Sequence, residues 1–344
     1  MPSYAVQITT RDQKELLFSC SESETLLDAA ARQSIFVPSG CKEGGCGACR
    51  ATTKKGDAKL APYSESALPP AARNQGDILL CRAFPQSDLS LSAPFDYAHV
   101  QFHSIPKRNA DIVSIENIGE NTVRLVLRLQ EDPERGAAAE FDPGQFMQLL
   151  IPETPEKRAY SLSNVPNWDG LLEFLIRLRK GGKFSDFLLH DARNGESLHV
   201  VGPQGAFTLQ ENGLRPRWFV AGGTGIAPML SMLRRMAEFQ EPHEARLYFG
   251  VNHESELFAL DDLERLKNEL PQLKITLCVW KPIEVWNGFT GTPVDALKQD
   301  LATATIKPDI YLCGPPILIE SCERAALDSG VPATQIISER FLPS

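Results

Sequence analysis

The spacing of four cysteines constrains the fold of this chain more than any other feature. Cys41, Cys46 and Cys49 form the pattern C-x4-C-x2-C in a glycine-rich segment, and Cys81 follows much later. This is the cysteine spacing of a plant-type [2Fe–2S] loop, whereas a structural zinc ion usually takes its ligands in two closely spaced pairs. Glycines let such a loop wrap closely around the sulfurs. The pattern predicts a one-electron iron–sulfur centre, with a zinc site or a metal-free loop as the alternatives.

Length and composition bound the class of protein. A chain of 344 residues, 42% hydrophobic and 23% charged, suits a globular protein of two or three domains. The net charge of −9 argues against nucleic-acid binding. No uninterrupted apolar stretch approaches about 18 residues and the first residues do not resemble a signal peptide, so we expect a cytoplasmic protein without a membrane span. In the reducing cytoplasm we expect Cys20, Cys278 and Cys322, which lie in apolar patterns, to be core residues with reduced thiols.

The first region, residues 1–98, predicts an α+β β-grasp ferredoxin domain. It begins with two strands and continues with a helix over ETLLDAAARQ, whose N-cap we expect at Ser21 or Ser23. The cysteine loop follows, and a later strand over DILLCRAF is expected to carry Cys81. A polar, proline-containing connection at 95–105 is a candidate hinge between domains.

Two further regions have different periodicities. Residues 105–210 contain short strands separated by turn signals, which predicts an antiparallel β-barrel domain with one helix at SDFLLHDAR. Residues 211–344 alternate strands with amphipathic helices, which predicts an α/β domain with a parallel sheet covered on both faces. Together with the first region, the chain is predicted to be multidomain.

A glycine-rich turn in the third region predicts a dinucleotide site. Gly222, Gly223, Thr224 and Gly225 follow a strand and precede a helix, where a pyrophosphate can approach the backbone amides. Pro228 replaces the last glycine of the usual fingerprint, so a plain tight turn is the alternative.

The ends of two later strands support the dinucleotide interpretation. Glu254 and Glu256 follow one strand, where a carboxylate can bind ribose hydroxyls, although a solvated loop is equally compatible. The sequence places no arginine beside them to favour a 2′-phosphate, so we expect NADH rather than NADPH. Cys313 and Gly314 end another strand at the ligand-binding edge of such a sheet.

Two segments of the second region predict a flavin site. Arg158, Tyr160 and Ser161 combine a cation for phosphate, an aromatic plane for the ring and a hydroxyl for a hydrogen bond near flavin N5. This motif is short enough to occur by chance. The segment Gly182, Lys183, Phe184 and Ser185 starts the predicted helix, and its amides could bind the same pyrophosphate.

These motifs, taken in order, resemble the ferredoxin–NADP⁺ reductase superfamily over essentially the full length. The resemblance is to the oxygenase-reductase branch, in which an N-terminal [2Fe–2S] domain precedes an FAD barrel and an NAD(H) domain. It depends on five matching segments: RAYS, GGKFS, GGTGIAP, CGPP and the terminal ERF. Within the branch, the reductases of soluble methane monooxygenases are the most similar, through FDPGQFM, EFLIR, FSDFL, FVAGGTG, LYFGVN, DIYLCGPP and FLPS.

The resemblance implies roles for individual residues. Arg158, Tyr160 and Ser161 would contact FAD, with residues 182–185 holding its pyrophosphate. Residues 222–225 would hold the NADH phosphates. The catalytic centre would comprise Ser161, Cys313 near the nicotinamide, and Phe341, which in relatives lies near the flavin but here is followed by three residues.

The resemblance also implies a function and a partner. Electrons would pass from NADH to FAD, then to the [2Fe–2S] cluster, and then to the di-iron hydroxylase of a soluble methane monooxygenase. The ferredoxin domain would bind the hydroxylase, in competition with a regulatory protein, and the free reductase would be a monomer. The alternatives are the reductase of a ring-hydroxylating dioxygenase, the reductase of a phenol or alkene monooxygenase, and a non-enzymatic redox sensor.

Overall fold

A computed structural model of the chain describes residues 2–154, 156–211, 213–283 and 285–340. The chain forms two compact units. The first ends at Pro106 and also includes Gln204–Ala206, and the second comprises Lys107–Pro203 and the chain from Phe207 onward. None of the described helices is both long and apolar enough to cross a membrane.

The first unit is built on a five-stranded sheet in the order β2-β1-β7-β3-β5, with a separate pair of strands, β4 and β6. Its strands are β1 Ser3–Thr9, β2 Glu15–Ser21, β3 Arg50–Lys55, β4 Ala58–Leu60, β5 Asp77–Leu79, β6 Ala83–Pro85 and β7 Leu89–Ser92. Strands β1 and β2 are antiparallel, and β7 runs parallel to β1. The helices are α1 Leu26–Arg32 and α2 Pro70–Asn74. This is the predicted α+β β-grasp arrangement.

The predicted start of the first helix is wrong. Helix α1 has Thr25 as its N-cap, whose hydroxyl accepts a hydrogen bond from the Asp28 amide at 3.1 Å. Glu24 does fold back to accept a hydrogen bond from the Ser21 amide at 2.9 Å. That contact closes the turn before the helix, so the spacing of Ser21 and Glu24 identifies a real interaction but not the cap.

Most of the candidate hinge is attached to the first unit. Asp96 forms an ion pair with Arg11, and the Tyr97 amide donates to Asp12 at 2.9 Å. Gln101 pairs with Phe36 in an isolated antiparallel bridge. Residues 96–101 of the predicted hinge are therefore attached to the first unit, and the hinge at 95–105 stays a prediction.

The second unit begins with a six-stranded sheet in the order β11-β10-β13-β8-β9-β12. Its elements are β8 Lys107–Gly119, β9 Thr122–Leu129, β10 Phe146–Leu150, β11 Lys157–Ser161, β12 Leu171–Arg177, α3 Lys183–Asp186 and β13 Ser197–Gln204. A bridge between Leu162 and Phe174 joins the two edges and closes the barrel. The predicted helix is a single α turn followed by a π-helical turn over Phe187–Asp191.

The remainder of the second unit is a parallel sheet in the order β17-β16-β15-β14-β18-β19. Its strands are β14 Arg217–Gly222, β15 Ala245–Val251, β16 Leu273–Val279, β17 Phe289–Thr290, β18 Asp309–Gly314 and β19 Ile336–Arg340. Its helices are α4 Ile226–Glu238, α5 Leu260–Glu269, α6 Pro293–Thr303 and α7 Pro316–Asp328. The order reverses direction between β14 and β18, and in sheets of this type ligands bind at that point.

The three cysteines assigned to the core lie there. Cys20, Cys278 and Cys322 are each fully buried. Burial raises the pKa of the Cys20 thiol to about 12, so it stays protonated at neutral pH and behaves as a small apolar side chain.

Candidate functional site

The four cysteines of the first unit come together in two pairs. Cys81 lies in the turn after β5, and its Sγ is 3.3 Å from that of Cys49. Cys41 and Cys46 form the second pair, in which the Cys46 sulfur accepts a hydrogen bond from the Cys41 amide at 3.4 Å. Sulfurs arranged two by two suit a two-iron cluster, because each of its irons takes two thiolates. The strand predicted to carry Cys81 ends two residues before it.

Backbone amides surround the Cys41 sulfur. It accepts hydrogen bonds from the amides of Glu43 at 3.4 Å and Gly45 at 3.2 Å. A hydrogen bond from the Cys46 thiol, assisted by these amides, lowers the pKa of Cys41 below its ordinary value. The loop therefore stabilises a thiolate, which is the form that binds iron, and its donor set fits a [2Fe–2S] cluster.

The predicted flavin residues Arg158, Tyr160 and Ser161 lie on strand β11, at the sheet edge where the barrel closes. Ser161 is almost fully buried, and the Tyr160 ring packs against Phe184 at a centroid distance of 5.1 Å. Burial raises the pKa of the Tyr160 phenol. Tyr160 and Phe184 thus supply one aromatic wall, with the Ser161 hydroxyl at the end of the strand.

Glu156 pairs with Arg158, the predicted phosphate cation, at 3.3 Å and with Lys183, whose segment was predicted to bind the pyrophosphate through its amides. These are exposed pairs that contribute little to stability, but they keep both cations on one side of the strand. Gly182 caps the short helix α3, and the Ser185 hydroxyl accepts a hydrogen bond from the Arg179 amide at 2.9 Å. This hydrogen bond holds the turn before α3 and leaves the Ser185 O–H available to donate.

The glycine-rich turn lies at the point where the strand order reverses. A Cβ on Gly225 would lie 2.3 Å from the Cys313 carbonyl oxygen, so only glycine allows this approach of the turn to β18. Gly222 and Gly314 end the two adjacent strands. Gly223 has a φ of +54°, in the left-handed region. Residues 222–225 and Cys313–Gly314 therefore share one edge of the sheet, where a pyrophosphate can approach the start of α4.

The two acidic residues after β15 have different surroundings. Both carboxylate oxygens of Glu254 accept from the Ile283 amide, at 3.0 and 2.9 Å, so Glu254 fixes a neighbouring loop. Glu256 lies beside a small recess that also borders Gly223 and Thr224.

The expectation that no arginine lies beside these acids is wrong for Glu256. Arg177, the last residue of β12, has its Nη1 3.9 Å from the Glu256 carboxylate. The Arg177 Nη1 would also lie 4.0 Å from a Cβ placed on Gly223. Arg177 is a candidate anion-binding residue that the sequence interpretation missed. Its segment, EFLIR, was recognised, but only pairing of β12 with the rest of the barrel brings it to this edge.

Buried Ser161, half-buried Glu339 and buried Cys313 join the flavin strand to the nucleotide sheet. The Ser161 hydroxyl donates to the Glu339 carboxylate at 3.1 Å. Glu339 pairs in register with Cys313 across β18 and β19, and Cys313 is fully buried, which raises its pKa well above the usual value. The sequence interpretation included Ser161 and Cys313 but missed Glu339. Phe341 lies outside the described residues.

Burial also changes the protonation of Glu339. Removal from water raises the pKa of its carboxyl from 4.5 to about 7, and the hydrogen bond from Ser161 opposes the shift. The raised pKa brings the titration of this carboxyl towards neutral pH, one hydrogen bond away from the Ser161 hydroxyl.

Comparison with known domain families assigns each region of the chain. Residues 9–86 match the 2Fe-2S iron-sulfur cluster binding domain, and residues 109–209 match the oxidoreductase FAD-binding domain. Residues 219–324 match the oxidoreductase NAD-binding domain.

Full-length relatives are components of oxygenase systems. The chain is 36% identical to methane monooxygenase component C of Methylosinus trichosporium, over 87% of each chain. It is 33% identical to the toluate 1,2-dioxygenase electron transfer component of Pseudomonas putida, over 93% of each. Among solved structures, an Amycolatopsis cytochrome P450 reductase superposes with a TM-score of 0.77 at 27% identity, over 99% of both chains.

The chain belongs to the iron–sulfur flavoprotein reductases that serve as electron-transfer components of multicomponent oxygenases. It is an oxidoreductase that uses a [2Fe–2S] cluster, FAD and a nicotinamide dinucleotide. The predicted fold class, family, enzyme class and cofactors are thereby confirmed.

Proposed function

We propose that this protein is the NADH-dependent reductase of a soluble methane monooxygenase and that it supplies electrons to a di-iron hydroxylase. The observation that carries the proposal is the 36% identity to methane monooxygenase component C across 87% of both chains. The segments FDPGQFM, LYFGVN and DIYLCGPP support it. The proposal places the protein in the oxidation of methane and in one-carbon metabolism.

The three cofactors supply the redox chemistry: a two-electron donor, a flavin that converts between two-electron and one-electron steps, and a one-electron cluster. The chain positions them. Arg158 and Lys183 provide cations for the flavin phosphates, and Tyr160 with Phe184 provides an aromatic wall for the ring. Ser161 directs its hydroxyl to the same place, where Glu339 can supply or accept a proton through it.

The nucleotide edge favours NADH in this proposal. Residues 222–225 would hold the pyrophosphate at the start of α4, and Arg177 would add a cation beside Gly223. Glu256 borders the recess next to Thr224, and its carboxylate can accept hydrogen bonds from ribose hydroxyls, which is the basis for proposing NADH. Cys313 and Gly314 would form the floor beneath the nicotinamide.

The partner would bind through the first unit, because that unit carries the cysteine loop. Cys41 and Cys46 are only partly buried, so a cluster there would lie near the surface. An oxygenase, or a regulatory protein that competes with it, could then approach within electron-transfer distance. We propose that the free reductase is a monomer in the cytoplasm.

The deciding experiment is NADH-driven substrate oxidation with purified soluble methane monooxygenase hydroxylase and its regulatory protein. A toluate-type ring-hydroxylating dioxygenase serves as the parallel acceptor. We expect turnover with the methane enzyme and at least tenfold less with the dioxygenase.

A second candidate is the reductase of a ring-hydroxylating dioxygenase, which the 33% identity to the toluate component favours. Turnover with the dioxygenase alone would establish that candidate and reject the methane enzyme as partner. Reduction of an artificial acceptor in the same samples shows that the reductase itself is active.

A further inference from the structure

A square of four buried or half-buried charges connects the barrel to the nucleotide sheet within the second unit. Arg124 on β9 and Glu173 on β12 come from the barrel, and Arg234 on α4 and Asp262 on α5 come from the nucleotide region. Their exposed side-chain fractions run from 6% for Asp262 to 21% for Arg124. Two positive and two negative charges make the square neutral.

Each arginine of the square contacts both acids. Arg234 donates to Glu173 at 2.8 Å and to Asp262 at 2.7 Å. Arg124 donates to Asp262 and has its Nε 3.7 Å from Glu173. Every side of the square is therefore a charge contact, and two sides cross from the barrel to the nucleotide region.

The square is attached to both proposed binding segments. Arg234 also donates to the Ser163 carbonyl at 2.8 Å, two residues after Ser161 of the flavin strand. One turn earlier on α4, the fully buried Ser231 hydroxyl donates to the Asn164 carbonyl at 2.6 Å. Helix α4 itself starts directly after the glycine-rich turn. The same helix thus holds the nucleotide turn at one end and the flavin strand along its side.

Stability alone does not account for such an arrangement. Desolvation of buried ion pairs offsets most of their Coulomb attraction, and apolar residues of similar volume are often as stable. Their directional contacts nevertheless specify one geometry, because a shift of about 1 Å breaks several of them at once. In a two-substrate reaction, a misplacement of that size can cost about 100-fold in rate.

We propose that Arg124, Glu173, Arg234 and Asp262 form a positioning square that sets the distance between the flavin strand and the nucleotide turn. The four residues would control the rate of flavin reduction by NADH without contacting either cofactor. This inference rests on the proposed NADH and flavin sites, but it does not depend on which oxygenase receives the electrons.

The test is anaerobic stopped-flow measurement of flavin reduction by NADH in the holoprotein. Arg234→Lys keeps the charge but cannot reach both acids and the carbonyl at once. A neutral double variant, Arg124→Met with Asp262→Leu, removes one charge of each sign. For both we expect a 10- to 100-fold lower rate constant of flavin reduction and an NADH dissociation constant within threefold of wild type. The nicotinamide–flavin charge-transfer absorbance should also weaken.

Arg217→Lys is the matched control. Arg217 is a buried arginine paired with Glu241, at the opposite end of β14 from Gly222. We expect the rate constant of flavin reduction in Arg217→Lys to equal that of wild type. Rates within twofold of wild type in both square variants would overturn the proposal, and so would an equal loss in Arg217→Lys. If NADH failed to reduce wild-type flavin, the proposed function would fail instead.

Discussion

At the residue scale, the contact between Ser161 and Glu339 is the most informative one. A carboxyl with a raised pKa is more stable protonated, so the folded protein binds a proton that the unfolded chain releases near pH 4.5. The contribution of Glu339 to stability is therefore present below the unfolded pKa and is lost as the pH rises through about 7.

Glu339→Gln should remove this pH dependence. Relative to wild type, we expect the variant to gain about 1 to 3 kcal/mol in unfolding free energy between pH 5 and pH 8. Urea denaturation at the two pH values measures the difference. Glu320→Gln, on a 43% exposed side chain, controls for the loss of a surface carboxylate. An equal pH dependence in wild type and Glu339→Gln would show that Glu339 has an ordinary pKa.

At the element scale, local sequence signals specify helix α6 well. Thr292 is its N-cap, and a capping box forms with Asp295, each side chain accepting a hydrogen bond from the other residue's amide. Pro293 at the first helical position packs on β15, where a Cβ on Gly250 would meet it at 2.2 Å. The cap therefore also fixes the contact between helix and sheet.

Thr292→Ala should lower the unfolding free energy by about 1 kcal/mol, because the Asp295 amide loses its side-chain acceptor and the Asp295 carboxylate loses the hydrogen bond from the Thr292 hydroxyl. Thr303, at the other end of the same helix, donates only to the Asp300 carbonyl, so Thr303→Ala is the matched control with a change of a few tenths of a kcal/mol at most. Urea denaturation of both variants measures the two changes in unfolding free energy. Equal losses would mean that the cap contributes nothing specific.

Helices and strands with strong local sequence signals were predicted better than those whose structure depends on contacts with other parts of the chain. Helices α4 to α7 and the strands between them follow the predicted alternation, because each has its own periodicity and length. The helix at SDFLLHDAR is only an α turn and a π turn, in which Phe184 and Phe187 pack into the barrel core. The start of α1 was misplaced because two cap-like serines precede Thr25.

At the scale of the whole molecule, the proposed electron path requires both units. The cysteine loop lies in the first unit, while the flavin and nucleotide segments lie in the second. The two activities can therefore be separated by substitution.

Cys81→Ser should lower the rate of electron transfer to the oxygenase at least 100-fold, while NADH-dependent reduction of ferricyanide persists. The physical reason is that Cys81 is half of one sulfur pair, whereas the flavin and nucleotide residues are untouched. Cys20→Ala removes a buried thiol of the same unit and should retain both activities. Full oxygenase turnover by Cys81→Ser would reject the proposed electron path.

The sequence by itself indicated the four cysteines that come together in the first unit, the order of the three binding regions and the glycine-rich turn. A sequence pattern reveals these features because each of them needs particular residue types at short, regular spacings. Only the tertiary structure decided that Glu339 meets Ser161 across 178 positions, that Arg177 reaches the nucleotide edge, and that four charges from two regions form one square. Strand register and helix packing create those contacts between residues far apart in the chain, and no local pattern encodes them.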